Sequence, residues 1–135
     1  CHSFGGVAVL NALRHGATCE KLVLISPGMY DVKPTFEGFV GLFGLDEVYY
    51  GDRIFALAES IHGINPGALG LDRFADQIET ETLIVHCEDD KDSVKEIALD
   101  LHADMKHSTL HLTQGLGHRR ILRDEKVAEM VRDFL

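Results

Sequence analysis

The chain has 135 residues, of which 45% are hydrophobic and 26% are charged, and its 22 acidic and 13 basic side chains give a formal net charge of -9 at pH 7. This length supports one domain with a single core, and the acidic balance argues against nucleic acid and anionic membranes as partners. The longest apolar runs, such as KLVLIS and TLIVHC, are far shorter than the roughly 18 residues that indicate a membrane span.

The cysteines are three in number and widely spaced: Cys1, Cys19 and Cys87. This pattern favours neither a disulfide framework nor a zinc site, and the histidines contain no paired metal-ligand motif. We therefore expect no metal, no cofactor and a reducing compartment, the cytoplasm, as the location.

A helix and then a strand are predicted at the start of the chain. In FGGVAVLNALRH, from residue 4 to about residue 15, Val7, Leu10 and Leu13 recur at helical spacing, and Gly16 is a typical helix stop. The run KLVLISP that follows is nearly all apolar and ends at proline, which is typical of a strand buried on both faces.

The segment from about residue 28 to residue 78 has no strand pattern and predicts a helical insertion. Its two apolar stripes at helical spacing are Phe36, Phe39, Val40 and Phe43, and Ile54, Leu57, Ala58 and Ile61. The insertion either adds to the core or forms a lid over a substrate pocket, with Phe36, Phe39 and Phe43 as candidate lining residues.

Two further strands are predicted, ETLIVHC at 81 to 87 and STLHLTQ at 108 to 114, each followed by a helix. Ser93 and Glu96 predict a capping box at the start of the first of these helices. The last helix is expected to begin near Asp124 and to bury Val127, Met130, Val131 and Phe134. Alternating strands and helices predict an α/β fold, with a parallel sheet between two helical layers.

A candidate nucleophile stands in CHSFGG, where Ser3 directly precedes the first helix. A serine hydroxyl attacks a carbonyl only if a base takes its proton and a tight turn exposes it. Small residues two positions to either side relieve crowding at such a turn, a demand that Gly5 meets and Cys1 meets less well. The ordinary alternative is that Ser3 caps the helix. His2 should point away from the turn and serve in packing or hydrogen bonding.

Two more candidate groups follow the second and third strands. HCEDD offers Glu88, Asp89 and Asp90, and GLGHRR places His118 in a loop. Each alone is typical of a solvated loop. A serine, an acid and a histidine in this order, each on the carboxyl side of a strand, would be brought to one edge of a parallel sheet.

These motifs together resemble the α/β-hydrolase fold from its nucleophile elbow onward. CHSFGG resembles the elbow, commonly G-H-S-x-G-G, LIVHCEDD resembles the acid-bearing strand end, and GLGHRRIL resembles the histidine loop. The resemblance covers residues 1–135 as a partial domain and is weakest in the insertion, which matches the lid position of that family. Cys1 and Cys87 are departures, because glycine is common at both positions.

The resemblance implies a serine hydrolase that attacks an ester, thioester or similar small-molecule acyl substrate through an acyl-enzyme. Ser3 would be the nucleophile and His118 the general base and then acid. Family spacing selects Asp90 as the orienting acid, with Asp89 as the alternative. The N–H of Phe4 would supply one oxyanion donor.

The second oxyanion donor comes, in this family, from a loop after an early strand, which the sequence does not contain. The strand leading into Ser3 is also missing from the pattern. The predicted strands would be the last three of about eight, so we expect a fragment with an open, apolar edge beside KLVLIS. A second hypothesis follows: a non-catalytic, hydrolase-like interaction module that pairs this edge with a second copy or with a missing N-terminal portion.

Overall fold

The computed structural model describes residues 1–28, 32–63, 65, 69–70 and 75–135. Parts of the predicted insertion, namely residues 29–31, 64, 66–68 and 71–74, lie outside the described residues. The elements are, in chain order, α1 (Phe4–Arg14), β1 (Lys21–Ile25), α2 (Val32–Leu42), α3 (Glu47–His62), β2 (Glu81–Cys87), α4 (Lys95–Asp104), β3 (Ser108–Thr113), α5 (Gly117–Arg120) and α6 (Glu125–Phe134).

The three strands form a parallel sheet in the order β1-β2-β3. Ile25 lies opposite Val85, and Cys87 lies opposite Thr113, so the carboxyl ends of all strands meet at one edge. The central strand β2 is buried from Thr82 to Cys87. The predicted α/β fold with parallel strands is therefore confirmed.

The sheet has an apolar core on each face, because side chains alternate along a strand. On one face, Leu24 and Ile84 pack with residues of α1 and α4, among them Leu10 and Leu101. On the other face, α6 packs against the second cluster, which comprises Leu83, Val85, Cys87, Ile121 and Val127. Helices therefore cover both faces of the sheet.

The burial expected for the last helix is right in full only for Val127, which is 2% exposed. Val131 and Phe134 are half-buried and pack at the margin of the second cluster, and Met130 is also half-buried. The reason is geometric: α6 presents one narrow stripe to the sheet, centred on Val127.

The edge beside β1 is partly paired, which corrects the expectation of a fully open edge. His2 forms a parallel bridge with Ile25, the Ile25 N–H donates to Cys1 O at 2.9 Å, and the Ser3 N–H donates to Ile25 O at 3.1 Å. The two residues before the candidate nucleophile therefore lie parallel to the end of β1.

The predicted capping box is wrong. The helix α4 begins at Lys95, its N-cap is Val94, and no side chain caps it. Ser93 instead donates from Oγ to Pro27 O at 2.6 Å, because the loop after β2 turns toward the end of β1.

The insertion contains two helices, as predicted. Asp46 caps α3 by accepting from the Tyr49 N–H at 2.8 Å, and α3 ends at Gly63 in a left-handed conformation with φ 64°. The Phe36 ring packs edge-on against Phe55 with 5.8 Å between centroids. Much of the remaining apolar surface of these helices and of the turn after α2 is exposed, including Phe39, Leu42, Phe43, Leu57 and Ile61. No helix in the described ranges combines the length and apolar character needed to cross a bilayer.

Candidate active site

Ser3 occupies a strained turn. It lies between Cys1 and His2, which pair with β1, and the first residue of α1. Its φ is 52° and its ψ is -127°, and its side chain makes no capping hydrogen bond. A non-glycine residue at such an angle costs on the order of 1–3 kcal/mol and is concentrated at functional sites. Ser3 therefore occupies the N-cap position of α1 without capping the helix through its hydroxyl.

Residues 1 and 5 face each other across this turn. A Cβ added to Gly5 would lie 3.6 Å from the Cβ of Cys1, an ordinary van der Waals distance, so Cys1 fits at this position without crowding. A Cβ added to Gly28 would lie 3.5 Å from Ser3 Oγ. Glycine at 28 thus leaves the space beside the hydroxyl open.

The first turn of α1 offers a backbone donor next to Ser3. The N–H groups of Gly5 and Gly6 donate to His2 O and Ser3 O, each at 2.9 Å. The Phe4 N–H donates to no backbone carbonyl of the described residues. A free N–H at a helix N-terminus carries a partial positive charge, which suits a developing oxyanion.

Asp90 and His118 form a direct hydrogen bond. His118 Nδ1 lies 2.8 Å from Asp90 Oδ2, and the side chains are 11% and 0% exposed. The other carboxylate oxygen, Oδ1, accepts from the N–H groups of Asp92 and Ser93 at 2.9 Å each. Burial raises the pKa of Asp90, but the Ser93 N–H, the His118 ring and the Asp92 N–H outweigh it and hold this pKa below its ordinary value. An ionised Asp90 fixes the ring with Nδ1 as the donor and leaves Nε2 to accept a proton.

Asp89 faces elsewhere. Its Oδ1 accepts from the thiol of Cys87 at 2.9 Å and from the Gly115 N–H at 2.7 Å. Of the two neighbouring aspartates, it is Asp90 that contacts the His118 ring. Glu88, the third acid of the motif, bonds Gln114 and lies 3.7 Å from Lys95.

The histidine loop contacts the elbow through His2. His2 Nε2 lies 2.9 Å from His118 O, and the two rings are 4.6 Å apart between centroids. The hydrogen-bonding role expected for His2 is confirmed. Within the described residues, Ser3 Oγ makes no hydrogen bond to His118.

His86 lies behind the acid as a packed residue at the end of β2. Its side chain is fully buried, its Nε2 lies 2.9 Å from Ser93 O, and the same nitrogen is 3.9 Å from Asp90 Oδ2. Burial lowers the pKa of His86. Ser93 contacts His86, Asp90 and Pro27. The sequence does not predict this role, because no local pattern indicates a contact with a residue 66 positions earlier.

Of the candidate pocket residues, Phe36 and Phe39 lie on α2, and Phe43 lies in the turn that follows it. Phe39 and Phe43 are 53% and 79% exposed, and Phe36 packs on Phe55. A separate open cleft of about 580 Å³ reaches His118 but not Ser3, and its lining consists of Asp89, Lys91, Asp92, Leu116, Gly117, His118, Arg119 and Arg120. Among the described side chains, no group of histidine, cysteine, aspartate and glutamate is arranged to hold a metal ion.

No protein-family model matches the sequence, and no curated protein matches it. Solved structures, however, share the fold. The esterase EaEST from Exiguobacterium antarcticum has a TM-score of 0.69 at 19% identity, with 98% of this chain and 64% of that chain covered. The α/β-hydrolase MGS-MChE2, from the metagenome of sediments of the lagoon of Mar Chica, Morocco, has a TM-score of 0.68 at 16% identity, with 98% and 57% covered.

A third neighbour is the meta-cleavage product hydrolase CumD from Pseudomonas fluorescens IP01. Its TM-score is 0.64 at 20% identity, with 98% of this chain and 62% of that chain covered. The chain thus spans between 57% and 64% of the length of these three structures. The expected α/β-hydrolase fold is confirmed.

Proposed function

From the α/β-hydrolase fold of this chain, we propose that it acts as a serine hydrolase on an ester, thioester or similar acyl compound. Ser3 is the nucleophile, His118 the general base and then acid, and Asp90 the orienting carboxylate. The observation that supports this most is the 2.8 Å bond between His118 Nδ1 and the buried Asp90, on the sheet edge that also carries the strained Ser3.

The reaction runs in two halves. Ser3 Oγ attacks the acyl carbon while His118 Nε2 takes the hydroxyl proton, and the Phe4 N–H stabilises the resulting oxyanion. The imidazolium then gives its proton to the departing alcohol or thiol, leaving an ester on Ser3. Water, deprotonated by His118, attacks that ester, and Ser3 Oγ leaves and regains a proton. Asp90 stays ionised throughout.

Ester bonds are the first substrates to test, because three of the structurally similar proteins are named as esterases. We also propose that α2 and α3 form a lid whose apolar side chains, including Phe36, Phe39 and Phe43, line the acyl pocket. The exposed Phe39 and Phe43 support this, since such a surface favours an apolar acyl or alcohol group. The location we propose is the cytoplasm, where the three free cysteines would stay reduced.

A fluorophosphonate probe tests the nucleophile directly. We expect it to label the protein at Ser3 and to fail on Ser3→Ala, which should lower kcat on p-nitrophenyl esters by about 10⁵-fold or more. Ser60→Ala is the matched control, because Ser60 Oγ is an exposed hydroxyl that donates within its own helix to Leu57 O. Unchanged labelling of Ser3→Ala would overturn the assignment.

The alternative is an interaction module, which would pair through the part of the β1 edge that residues 1 and 2 leave uncovered. Cys1 and His2 pair with the end of β1, where the Cys1 amino group donates to Val23 O at 2.7 Å. Lys21 and Leu22 lie at the start of β1, before these contacts. Sedimentation of the chain decides between the two: a stable dimer without hydrolytic activity favours the module, and an active monomer contradicts it.

A further inference from the structure

Cys87 is a buried thiol with three partners, at a position where the resemblance leads one to expect glycine. It is the last residue of β2, and its side chain is fully buried. Its Sγ donates to Asp89 Oδ1 at 2.9 Å and accepts from the N–H groups of Gly117 and Leu116 at 3.1 and 3.3 Å. Both of these acceptor contacts come from the loop that carries His118.

Asp89 completes the arrangement, because its Oδ1 also accepts from the Gly115 N–H at 2.7 Å. Three successive N–H groups, at residues 115 to 117, therefore converge on one sulfur and one carboxylate oxygen. Left-handed backbone at Gly115 and Gly117, with φ of 78° and 60°, turns these N–H groups to the same side. Such a concave set of amides is an anion-binding nest.

The outer side of the same loop is held as well. The Arg120 guanidinium donates from Nε to Leu116 O at 3.1 Å and from a terminal nitrogen to Gly115 O at 2.9 Å. The backbone that leads into His118 is thus fixed through its amides on one side and its carbonyls on the other. A loop without such bonds would sample several positions for the imidazole.

We infer that Cys87 and Asp89 are positioning residues that fix the backbone of the histidine loop, so that the His118 ring meets Asp90 and the Ser3 elbow. The inference rests on the proposed function for its catalytic meaning. The two adjacent aspartates then have different tasks: Asp90 binds the side chain of His118, and Asp89, with Cys87, binds the backbone before it.

The thiol is suited to this task because it is donor and acceptor at once. Glycine or alanine at position 87 would remove the acceptor of the Leu116 and Gly117 amides and leave a cavity under the loop. Serine keeps both hydrogen-bonding functions with a smaller atom and a shorter bond. Asparagine at position 89 keeps an oxygen that can accept from both Cys87 and Gly115.

The test compares Cys87→Ala with Cys87→Ser and Val85→Ala. Val85 is the matched control, since it is buried on the same strand and in the same apolar cluster but makes no contact through a polar side-chain atom. The readouts are the proton NMR signal of His118 Nδ1–H, kcat and KM on a p-nitrophenyl ester, and the unfolding midpoint.

Cys87→Ala is expected to broaden or lose the His118 Nδ1–H signal and to lower kcat about 10- to 100-fold with little change in KM, because misplacing a catalytic group by about 1 Å costs that much. Cys87→Ser should restore most of both. Val85→Ala should lower the unfolding midpoint without moving the signal or kcat. Equal effects of Cys87→Ala and Val85→Ala on signal and kcat would overturn the inference.

The NMR readout separates this inference from the proposed function. If the wild-type protein fails to react with the fluorophosphonate, the hydrolase proposal fails, yet the His118 signal still reports whether Cys87 fixes the loop. Asp89→Ala should weaken the signal as Cys87→Ala does, and Asp89→Asn should keep it. A His118 signal that survives both alanine variants would show that the loop holds its position without this pair.

Discussion

Asp90 Oδ2 and His118 Nδ1 lie 2.8 Å apart although 28 residues separate them in sequence. The parallel pairing of β2 with β3 brings them together, because each follows the carboxyl end of its strand. Asp90 is also anchored by the Asp92 and Ser93 amides, so the carboxylate is oriented before the ring reaches it. The pair is therefore a preorganised acid–histidine unit rather than a chance surface contact.

The first prediction separates the two aspartates. Asp90→Asn should lower kcat by about 10⁴-fold with little change in KM, because an amide can donate to Nδ1 and so favours the wrong tautomer. Asp89→Asn should stay within about tenfold of wild type, since its amide oxygen keeps the contacts with Cys87 and Gly115. Steady-state kinetics on one ester measure both variants. If Asp89→Asn were the inactive one, Asp90 would lose its role.

The sequence predicts these parts of the site because they depend on strand order alone. Asp90 and His118 each follow a strand and Ser3 follows the bridge between His2 and Ile25, so parallel pairing gathers them at one edge. The role of Ser93 depends on a contact with Pro27, 66 residues earlier, and its capping motif pointed to a different structure. The contacts of Cys87 depend in the same way on how two loops meet, 29 and 30 residues apart, which local pattern does not encode.

The second prediction concerns stability in acid. The pKa of His86 is lowered chiefly by burial, and that of Asp90 lies below its ordinary value through its hydrogen bonds. In both cases the unfolded chain binds protons more readily than the folded protein, so the free energy of unfolding falls as the pH falls. The contribution of His86 should be lost below about pH 6.5 and that of Asp90 below about pH 4.

Urea unfolding at several pH values measures this dependence. His86→Gln is the informative variant, because its amide can still donate to Ser93 O but does not titrate. It should flatten the decline between pH 7 and pH 5 and leave the decline below about pH 4 in place. If the free energy of unfolding of the wild-type protein did not change between pH 7 and pH 5, the lowered pKa of His86 would be contradicted.

The third prediction concerns the space beside the nucleophile. A Cβ at Gly28 would lie 3.5 Å from Ser3 Oγ and 3.8 Å from the Phe4 nitrogen, so it would intrude where an acyl carbonyl must approach both. Gly28→Ala should lower kcat/KM on the order of 10-fold or more while the fold persists, because substrate positioning is sensitive to shifts of about 1 Å. Gly38→Ala, where no atom lies within 4 Å, is the control and should leave kcat/KM unchanged. Equal kinetics for the two variants would place the substrate elsewhere.

The last prediction concerns the strain stored at Ser3, whose φ of 52° is unfavourable for any residue with a Cβ. Ser3→Gly and Ser3→Ala should both abolish labelling by the fluorophosphonate, because neither has a hydroxyl. They should differ in stability: Ser3→Gly relieves the strain, whereas Ser3→Ala keeps it, so the glycine variant should be more stable by about 1 kcal/mol. Urea unfolding measures the difference. Gly16 also has a positive φ, so Gly16→Ala, which adds a Cβ there, should destabilise the protein by a similar amount. If Ser3→Gly were no more stable than Ser3→Ala, the elbow would not be strained, and its geometry would not distinguish Ser3 from an ordinary turn residue.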